Sequence, residues 1–468
     1  MSVRDERRRR DKVTQMRRCG ISPFPQIALG SRMMIMELLE RHGSRAEQMT
    51  DPRECVHLAG RLIARRRDAG TTYFDLRDGS GAVQLRARAD IAPGEASTAG
   101  ILECDVGDIV GVTGHPYIAD RGDITIDVVS GSLIAKALKP PPPASDARRD
   151  GRCNLIAARA RMLAAIRSWL ASNGFIEVET PILQRLAGGA SARPFVTHHN
   201  ALDRDVFLRI SSELHLRRCV AAGMERVYDL GRCFRNEGIS RRHSPEFTML
   251  EWSVAFTDYR DAADHIESLI AYVAQETLSA MPDRAGASET FSRPWRRTTL
   301  RDAVAAETGI DILDADMSEL AQALPEKASA RMSWAEAVLK IYSTLVEPQL
   351  ESPTIVFDFP LEVLPLVKQH TRTPSLAESF DVVVRAMEIG SGASELNDPE
   401  EQWRRFVEQR RAVDSLGADT PMPHDRDFVT ALEYGAPPSS GVGIGVDRLL
   451  MALTAGGAIR DVLTLPET

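Results

Sequence analysis

Residues 234–252 read FRNEGISRRHSPEFTMLEW. A strand-like run, RVYDLGRCF, ends at Phe234 and gives way to charged residues around Gly238 and Pro245, and the chain returns through Phe247, Met249 and Leu250. The stretch therefore reads as a strand, a charged loop and a returning strand. Arg235, Glu237, Arg241, Arg242 and His243 crowd that loop, more polar groups than a core hairpin needs. Arginines set on such a hairpin can hold a polyphosphate through bidentate, charge-assisted bonds. A salt-bridged surface hairpin is the structural alternative.

Two later segments offer complementary chemistry. ESFDVVVRAMEIGSGASELND, residues 378–398, carries Asp381 and Glu388 on a strand-like stretch and Glu395, Asn397 and Asp398 beyond a glycine-containing turn. Paired carboxylates there suit Mg²⁺, a hard ion that prefers oxygen ligands and phosphate; a solvated acidic surface is the alternative. SSGVGIGVDRLLMAL, residues 439–453, places Gly441, Gly443 and Gly445 before Asp447 and Arg448. Glycines let a flat ligand approach the backbone, and an arginine at the following helix start can cover it. A tight strand-to-helix packing turn would read the same way.

Around these segments strands such as RVYDLGRCF and TMLEWSVAF mix with helices such as YRDAADHIESLIAYVAQETL. There is no regular βαβ repeat and no Gly-rich Rossmann or P-loop motif, which predicts an α+β domain on a largely antiparallel sheet. Upstream, NLIAARARMLAAIRSWLASNG, residues 154–174, has a helical stripe at Leu155, Met162, Leu163, Ile166 and Leu170 and stops at Gly174. The strand-like run FIEVETPIL follows.

KPPPPASDARRD, residues 139–150, favours an extended, stiff connection and marks the main boundary. From residue 57 to 138 short alternating segments, HLAGRLIARRR, TYFDLRDGSG, AVQLRARAD, VGDIVGVTGHPYIA and DITIDVVSGSLI, are separated by Gly and Asp turns. That texture predicts a small antiparallel barrel suited to single-stranded nucleic acid, or one used only for packing. Residues 1–56 read as a helical extension broken at CGISPFPQ. Arg4, Arg7, Arg8, Arg9, Arg10, Lys12, Arg17 and Arg18 load the first helix with positive charge, which suits a polyanion or simply a solvated face.

Composition bounds the class. The 468 residues carry 58 Lys and Arg against 66 Asp and Glu, a formal charge of −8, and are 43% hydrophobic, enough chain for two or three packed domains. The six scattered cysteines form no CxxC pair and no zinc-like spacing, so a reducing, cytoplasmic home is expected. No run approaches the roughly 18 apolar residues that span a bilayer, so no membrane partner is expected. MSVRDERRRRDK lacks a signal-like apolar stretch.

Taken together the segments closely resemble the three motifs of class II aminoacyl-tRNA synthetases, and the nearest family is the class II lysyl-tRNA synthetases. GFIEVETP, residues 174–181, resembles motif 1, with Pro181 as its marker; FRNEGISRRHSPEFTMLEW resembles motif 2; GVGIGVDRLLM resembles motif 3. GGASARPFVTHHNALDRDVFLRISSELHLRR, SELNDPEEQWRRF, ALEYGAPPSSG and IRDVLTLPE extend the likeness, as do VHLAGRLIARR and YFDLRDGSGAVQL in the barrel. The resemblance implies an OB-fold anticodon-binding barrel over residues 57–138, the linker at 139–150, and an α+β class II synthetase catalytic domain over residues 151–468 on an antiparallel sheet.

It also implies roles. Arg235 would bind the ATP α-phosphate and the reacting carboxylate, with Glu237, Arg242 and His243 helping to hold ATP. Phe247 and Arg448 would stack on the two faces of adenine. Asp381 and Glu388 would hold Mg²⁺ bridging the phosphates. Glu213, Glu251 and Glu395 would lie near the amino acid, with Glu213 and Glu395 binding its amino groups, and Gly189 and Ala190 would sit in the loop closing over it. Tyr73 and Gln84 match positions that read the tRNA anticodon, the basic first helix would flank the tRNA, and motif 1 implies a homodimer.

The chain departs from the lysine-specific pattern in the amino-acid pocket. That pattern has a tyrosine where this chain has Ser253, and ExxNxFxE where this chain reads EIGSGASE, so asparagine is replaced by Ser391 and phenylalanine by Ala393. The expected activity is ATP-dependent activation of L-lysine and its transfer to the 3′ end of lysine tRNA. The alternative is a paralogue that activates a lysine-like amino acid for a different tRNA, protein or small-molecule acceptor. A regulatory RNA-binding protein without catalysis would be favoured by loss of Arg235, Glu388 or Arg448, and all three are present.

Overall fold

The structure, a computed structural model, describes residues 3–26, 30–43, 54–68, 70–88, 98–119, 122–140, 147–279, 281–324, 332–415, 425–464 and 466. The chain divides after Arg148 into two compact units.

In the first unit, β1 (Val56–Asp68), β2 (Thr71–Arg77), β3 (Ala82–Arg88), β4 (Ile109–Ile118) and β5 (Ile124–Ala135) close a barrel in the order β1-β2-β3-β5-β4. Every pair is antiparallel except β3 with β5. Strict alternation in β2 and β3 sends Phe74, Leu76, Val83 and Leu85 inward and leaves Tyr73, Asp75, Gln84 and Arg86 on the outer face. Helix α1 (Val3–Arg18) carries Asp5 and Glu6 in its first turn and Arg17 and Arg18 in its last, which complements its dipole. Its basic run does not serve one purpose. Arg9 is buried and donates to Val106 O at 3.0 Å, pinning the helix to the barrel, whereas Arg10 is exposed and paired with Glu6 at 2.8 Å. Helix α2 (Ile35–Gly43) drops Ile35 and Leu38 into the barrel core, its first amides capped by Asp78 and Ser80 from the β2–β3 turn at 3.0 and 2.9 Å. A one-turn helix α3 (Ala99–Leu102) contributes Ile101 to the same core.

The second unit opens with α4 (Ala147–Ser172), which begins inside the stretch expected to be extended; of that stretch, residues 141–146 lie outside the described residues. Gly174 at φ +76° ends the turn that follows α4. The strand expected over FIEVETPIL shortens to β6 (Ile176–Glu177), because Asp229 captures the Thr180 amide at 2.9 Å and pulls the chain off the sheet. Then β7 (Leu183–Gln184), β8 (Val196–His199) and β9 (Arg204–Leu208) form a small antiparallel sheet before α5 (Glu213–Ala221).

The main sheet runs β12-β13-β14-β15-β16-β11-β10-β6, with β10 (Arg226–Phe234), β11 (Glu246–Ala255), β12 (Arg296–Thr299), β13 (Thr354–Phe357), β14 (Ser379–Val384), β15 (Met387–Ser394) and β16 (Ser439–Gly445). Only the two terminal pairings are parallel, so the expected largely antiparallel α+β architecture is the one observed. Helix α6 (Tyr259–Leu278), started by a reciprocal Asp258/Asp261 cap, buries Ile266, Leu269, Ile270 and Val273 beside Met162, Ile166 and Leu170 of α4. Both helices pack on the sheet face that presents Leu250, Trp252, Phe380, Val382 and Ile444. Removing an aromatic such as Trp252 from this core costs about 3–5 kcal/mol. Period two then commits the other face to different work: Met249, Glu251, Ser391, Ala393, Gly441 and Gly443 line a cavity.

Candidate active site

That cavity, about 800 Å³, brings Gly189, Glu213, Arg235, Glu251, Asp381, Glu388, Ser391, Ala393 and Glu395 together from six separate segments. Arg235 leaves β10 at the mouth of the hairpin, its amide held by Pro245 O at 2.9 Å. Its guanidinium lies over the Phe247 ring at 5.2 Å, and its Nε is buried with no partner among the described residues. Arg235 lines the cavity, and a guanidinium there with a donor left unanswered fits an oxyanion.

At the rim the hairpin loop and the start of the helix Val446–Thr454 meet. Arg448 donates to His243 Nε2 at 3.0 Å and to Glu388 O at 3.0 Å, and Ser240 Oγ lies 2.7 Å from His243 Nδ1. A guanidinium only donates, so Nε2 is the acceptor and Nδ1 carries the proton toward Ser240, which makes the ring neutral. Burial, then the Arg448 charge, hold His243 below the ordinary imidazole range. Arg242 pairs with Glu347 at 3.4 Å, while Glu237 stands exposed on the loop.

Asp381 and Glu388 come from β14 and β15. Burial, then the charges of Glu388 and Glu347, raise Asp381 well above the carboxylate range, and burial raises Glu347 as well. Three mutually repelling carboxylates beside Arg448 make a locus that a divalent cation relieves. Among the described residues no group of three acidic, His or Cys side chains forms a closed metal cage. Two carboxylates with the rest of an octahedral shell left to phosphate and water are what Mg²⁺ takes, so the residues fit that ion.

The far end of the cavity is a carboxylate nest. Glu251 accepts from Ser211 Oγ at 2.7 Å and from the Ser212 amide and hydroxyl. Glu395, buried, accepts from Ser253 Oγ at 2.7 Å and Ser439 Oγ at 2.8 Å. Arg217, 2% exposed, bridges Glu213 at 3.3 Å and Glu395 at 3.4 Å from its place one helical turn after Glu213. Glu213 faces the cavity rather than bulk solvent. Enclosure by the walls, opposed by Arg217 and reinforced by Glu395 and Glu251, pushes its carboxyl up to about 8. Backbone shape matters at two positions: Gly189 sits at φ +88°, and a methyl at Gly441 would strike Glu395 Oε1.

Ser253 is not part of the cavity surface as expected; it is buried behind it and acts through Glu395. Arg217, Ser211, Ser212, Ser439 and Glu347 were not foreseen. Only Arg217 left a trace in the sequence, the spacing of four from Glu213 that puts opposite charges on one helix face.

In the barrel, Tyr73 and Gln84 share the outer face, where Arg66 covers the Tyr73 ring at 5.2 Å and Arg86 covers Tyr117 at 4.1 Å. Aromatic faces interleaved with guanidinium groups suit stacked bases and phosphate.

The model of the family described as tRNA synthetases class II (D, K and N) matches residues 143–468, and that of the OB-fold nucleic acid binding domain matches residues 56–133. The lysine–tRNA ligase of Carboxydothermus hydrogenoformans is 38% identical over 481 residues, covering 98% of this chain and 96% of that protein. Those of Dehalococcoides mccartyi and Salmonella paratyphi B are each 37% identical, covering 97% and 98% of this chain and 95% of each relative.

Proposed function

The chain belongs to the class II tRNA synthetases, among the lysine–tRNA ligases, and we propose that its cavity activates L-lysine with ATP and its barrel presents lysine tRNA for charging. The observation that carries this reading is the one cavity that joins an unanswered Arg235 donor, an Asp381/Glu388 pair and a Glu213/Glu395 nest.

The lysine carboxylate attacks the ATP α-phosphorus in line, forming the mixed anhydride and expelling pyrophosphate. A terminal ribose hydroxyl of the tRNA then attacks the lysyl carbonyl and AMP departs. No enzyme nucleophile is needed; positioning and electrostatics supply the rate. Arg235 binds the α-phosphate and the reacting carboxylate. Arg242, Glu237 and His243 hold the triphosphate side, and Phe247 and Arg448 sandwich adenine. Mg²⁺ held by Asp381 and Glu388 would offset charge on the phosphates and on departing pyrophosphate. Glu213 and Glu395 take the two amino groups of lysine, with Glu251 fixing the wall beside them and Gly189 in the closing loop. The departing phosphate accepts the proton in the transfer step, so no side-chain base is assigned.

Tyr73 and Gln84 are assigned to the anticodon. The same reading places the enzyme in the cytoplasm as a homodimer, with the functional division at residues 57–138 and 151–468. Support for the dimer comes from Ile176, Ile182, Leu183, Leu186, Val196 and Leu202, large apolar side chains 40–57% exposed on the segments after α4. Among the described residues no helix is long and apolar enough to cross a membrane. One observation favours a lysine-like amino acid instead: small Ser391 and Ala393 stand in the wall next to a Glu395 already engaged by Ser253. Charging of purified lysine tRNA tests the reading; loading of lysine on its 3′ end supports it, and loading of a different amino acid or none overturns it.

A further inference from the structure

We infer that Arg159 is a positioning residue for the nucleotide, acting through Asp447 to set the spacing between Phe247 and Arg448; the inference rests on the proposed adenine site. The two residues that would flank the base belong to different elements, β11 and the helix Val446–Thr454. Their immediate neighbours are tied. Asp447, which precedes Arg448, accepts the Thr248 amide on Oδ2 at 2.7 Å, and Thr248 follows Phe247. The other oxygen of Asp447 accepts Arg159 NH1 at 2.6 Å, and Arg159 NH2 reaches Thr248 Oγ1 at 2.9 Å.

One guanidinium fork, brought in by α4 from 288 residues away, therefore clasps both strand and helix at the level of the base. Arg159, Thr248 and Asp447 are 8%, 8% and 1% exposed, so the clasp is dry and its bonds are directional. The register pair Met249 and Gly445 closes the same corner. Arg159 lies outside the lining of the cavity, as do Phe247 and Arg448 themselves, and its guanidinium is taken up by Asp447 and Thr248. Its effect on the nucleotide runs through the distance and tilt between a ring and a guanidinium, a geometry to which stacking is sensitive.

A lysine at position 159 can reach Asp447 as a point charge but cannot fork to Thr248 as well. Removing Arg159 alone strands a buried carboxylate, so the informative variant is the neutral pair Arg159→Met with Asp447→Asn, in which the asparagine carbonyl still accepts the Thr248 amide.

The test compares the full-length enzyme with Arg159→Lys and the double variant. It measures equilibrium ATP binding without amino acid, Michaelis constants for ATP, lysine and pyrophosphate in exchange, and melting temperature. Loss of the clasp is expected to weaken ATP binding and raise the ATP constant by about tenfold in the double variant, the equivalent of a mispositioned stacking pair. The lysine and pyrophosphate constants and the melting temperature should hold, because pyrophosphate carries no base. Arg159→Lys should fall between. A drop in melting temperature with unchanged ATP binding, or an equal rise in all three constants, would overturn the inference and leave a merely structural ion pair. ATP binding is read without amino acid, so failure of lysine activation in the parent enzyme counts against the proposed function and not against the clasp.

Discussion

The Ser253 hydroxyl donates to Glu395 Oε1 at 2.7 Å, from a side chain 1% exposed, so the carboxylate assigned to a lysine amino group is already held from behind. Ser439 holds its other oxygen and Arg217 lies 3.4 Å away. A carboxylate has lone pairs to spare for an ammonium, and the wall beside it carries small Ser391 and Ala393 where the lysine-specific pattern has asparagine and phenylalanine. Restoring the bulk of the lysine-specific pattern at the two positions that line the cavity, with Ser391→Asn and Ala393→Phe together, should raise kcat/KM for lysine by roughly 5- to 30-fold, about 1–2 kcal/mol of recovered contact. No gain in exchange assays would show that the backbone of the pocket, and not these two side chains, differs.

Arg235→Ala should remove the donor proposed to meet the α-phosphate. The loss expected in lysine-dependent exchange is about 10²–10³-fold, the cost of deleting one preorganised charge-stabilising group. Its Nε has no protein partner among the described residues, so the melting temperature should change little. Exchange retained within tenfold would remove Arg235 from the chemistry.

The proposed role of Glu213 makes amino-acid binding depend on pH. With its carboxyl raised to about 8, the empty pocket holds a proton there that unfolded chains shed near the ordinary value of about 4.3. The folded state therefore binds more protons than the unfolded one between those values, and its stability contribution declines as pH rises toward 8. An ammonium bound beside Glu213 favours the ionised form, so lysine binding should release a proton and tighten as pH climbs from about 6.5 to 8.5. Calorimetry in buffers of different ionisation enthalpy measures that proton; zero release would contradict the assignment of Glu213 to a lysine amino group.

On the barrel, Tyr73→Ala and Gln84→Ala should each raise the Michaelis constant for tRNA while leaving exchange without tRNA untouched. Loss of one stacked base at Tyr73 corresponds to about 1–3 kcal/mol, roughly 5- to 150-fold. Unaltered charging kinetics would mean that this face of the barrel does not read RNA.

Much of this architecture was legible in the chain because it follows from short-range rules. The 234–252 hairpin shows itself by period two around a charged loop, and the same alternation sorts Leu250 and Trp252 into the core and Met249 and Glu251 toward the cavity. The barrel strands are visible for the same reason. What stayed hidden depends on tertiary closure. The helix carrying Arg159 shows in the sequence only through its apolar stripe, and nothing local pairs Arg159 with Asp447, 288 residues later. Ser439 holds Glu395 from 44 residues further along the chain, a pairing with no local signal. Ser253 lies behind the pocket that its sequence position suggests, and Glu395, to which it donates, is the group that lines the cavity. The shortening of FIEVETPIL to β6 was equally unreadable, since the competing carboxylate, Asp229, comes from another strand.

The central claim is activation of lysine, and ATP/pyrophosphate exchange dependent on added amino acid tests it most directly. Lysine, ornithine, arginine, β-lysine and methylated or hydroxylated lysines are compared in one assay, each with and without total tRNA. Strong exchange on L-lysine, accompanied by charging of lysine tRNA, is the predicted result. Exchange confined to another amine, or exchange on lysine with no tRNA charged, would contradict it and make the pocket wall at Ser391 and Ala393, with Ser253 behind Glu395, the signature of a different substrate or acceptor.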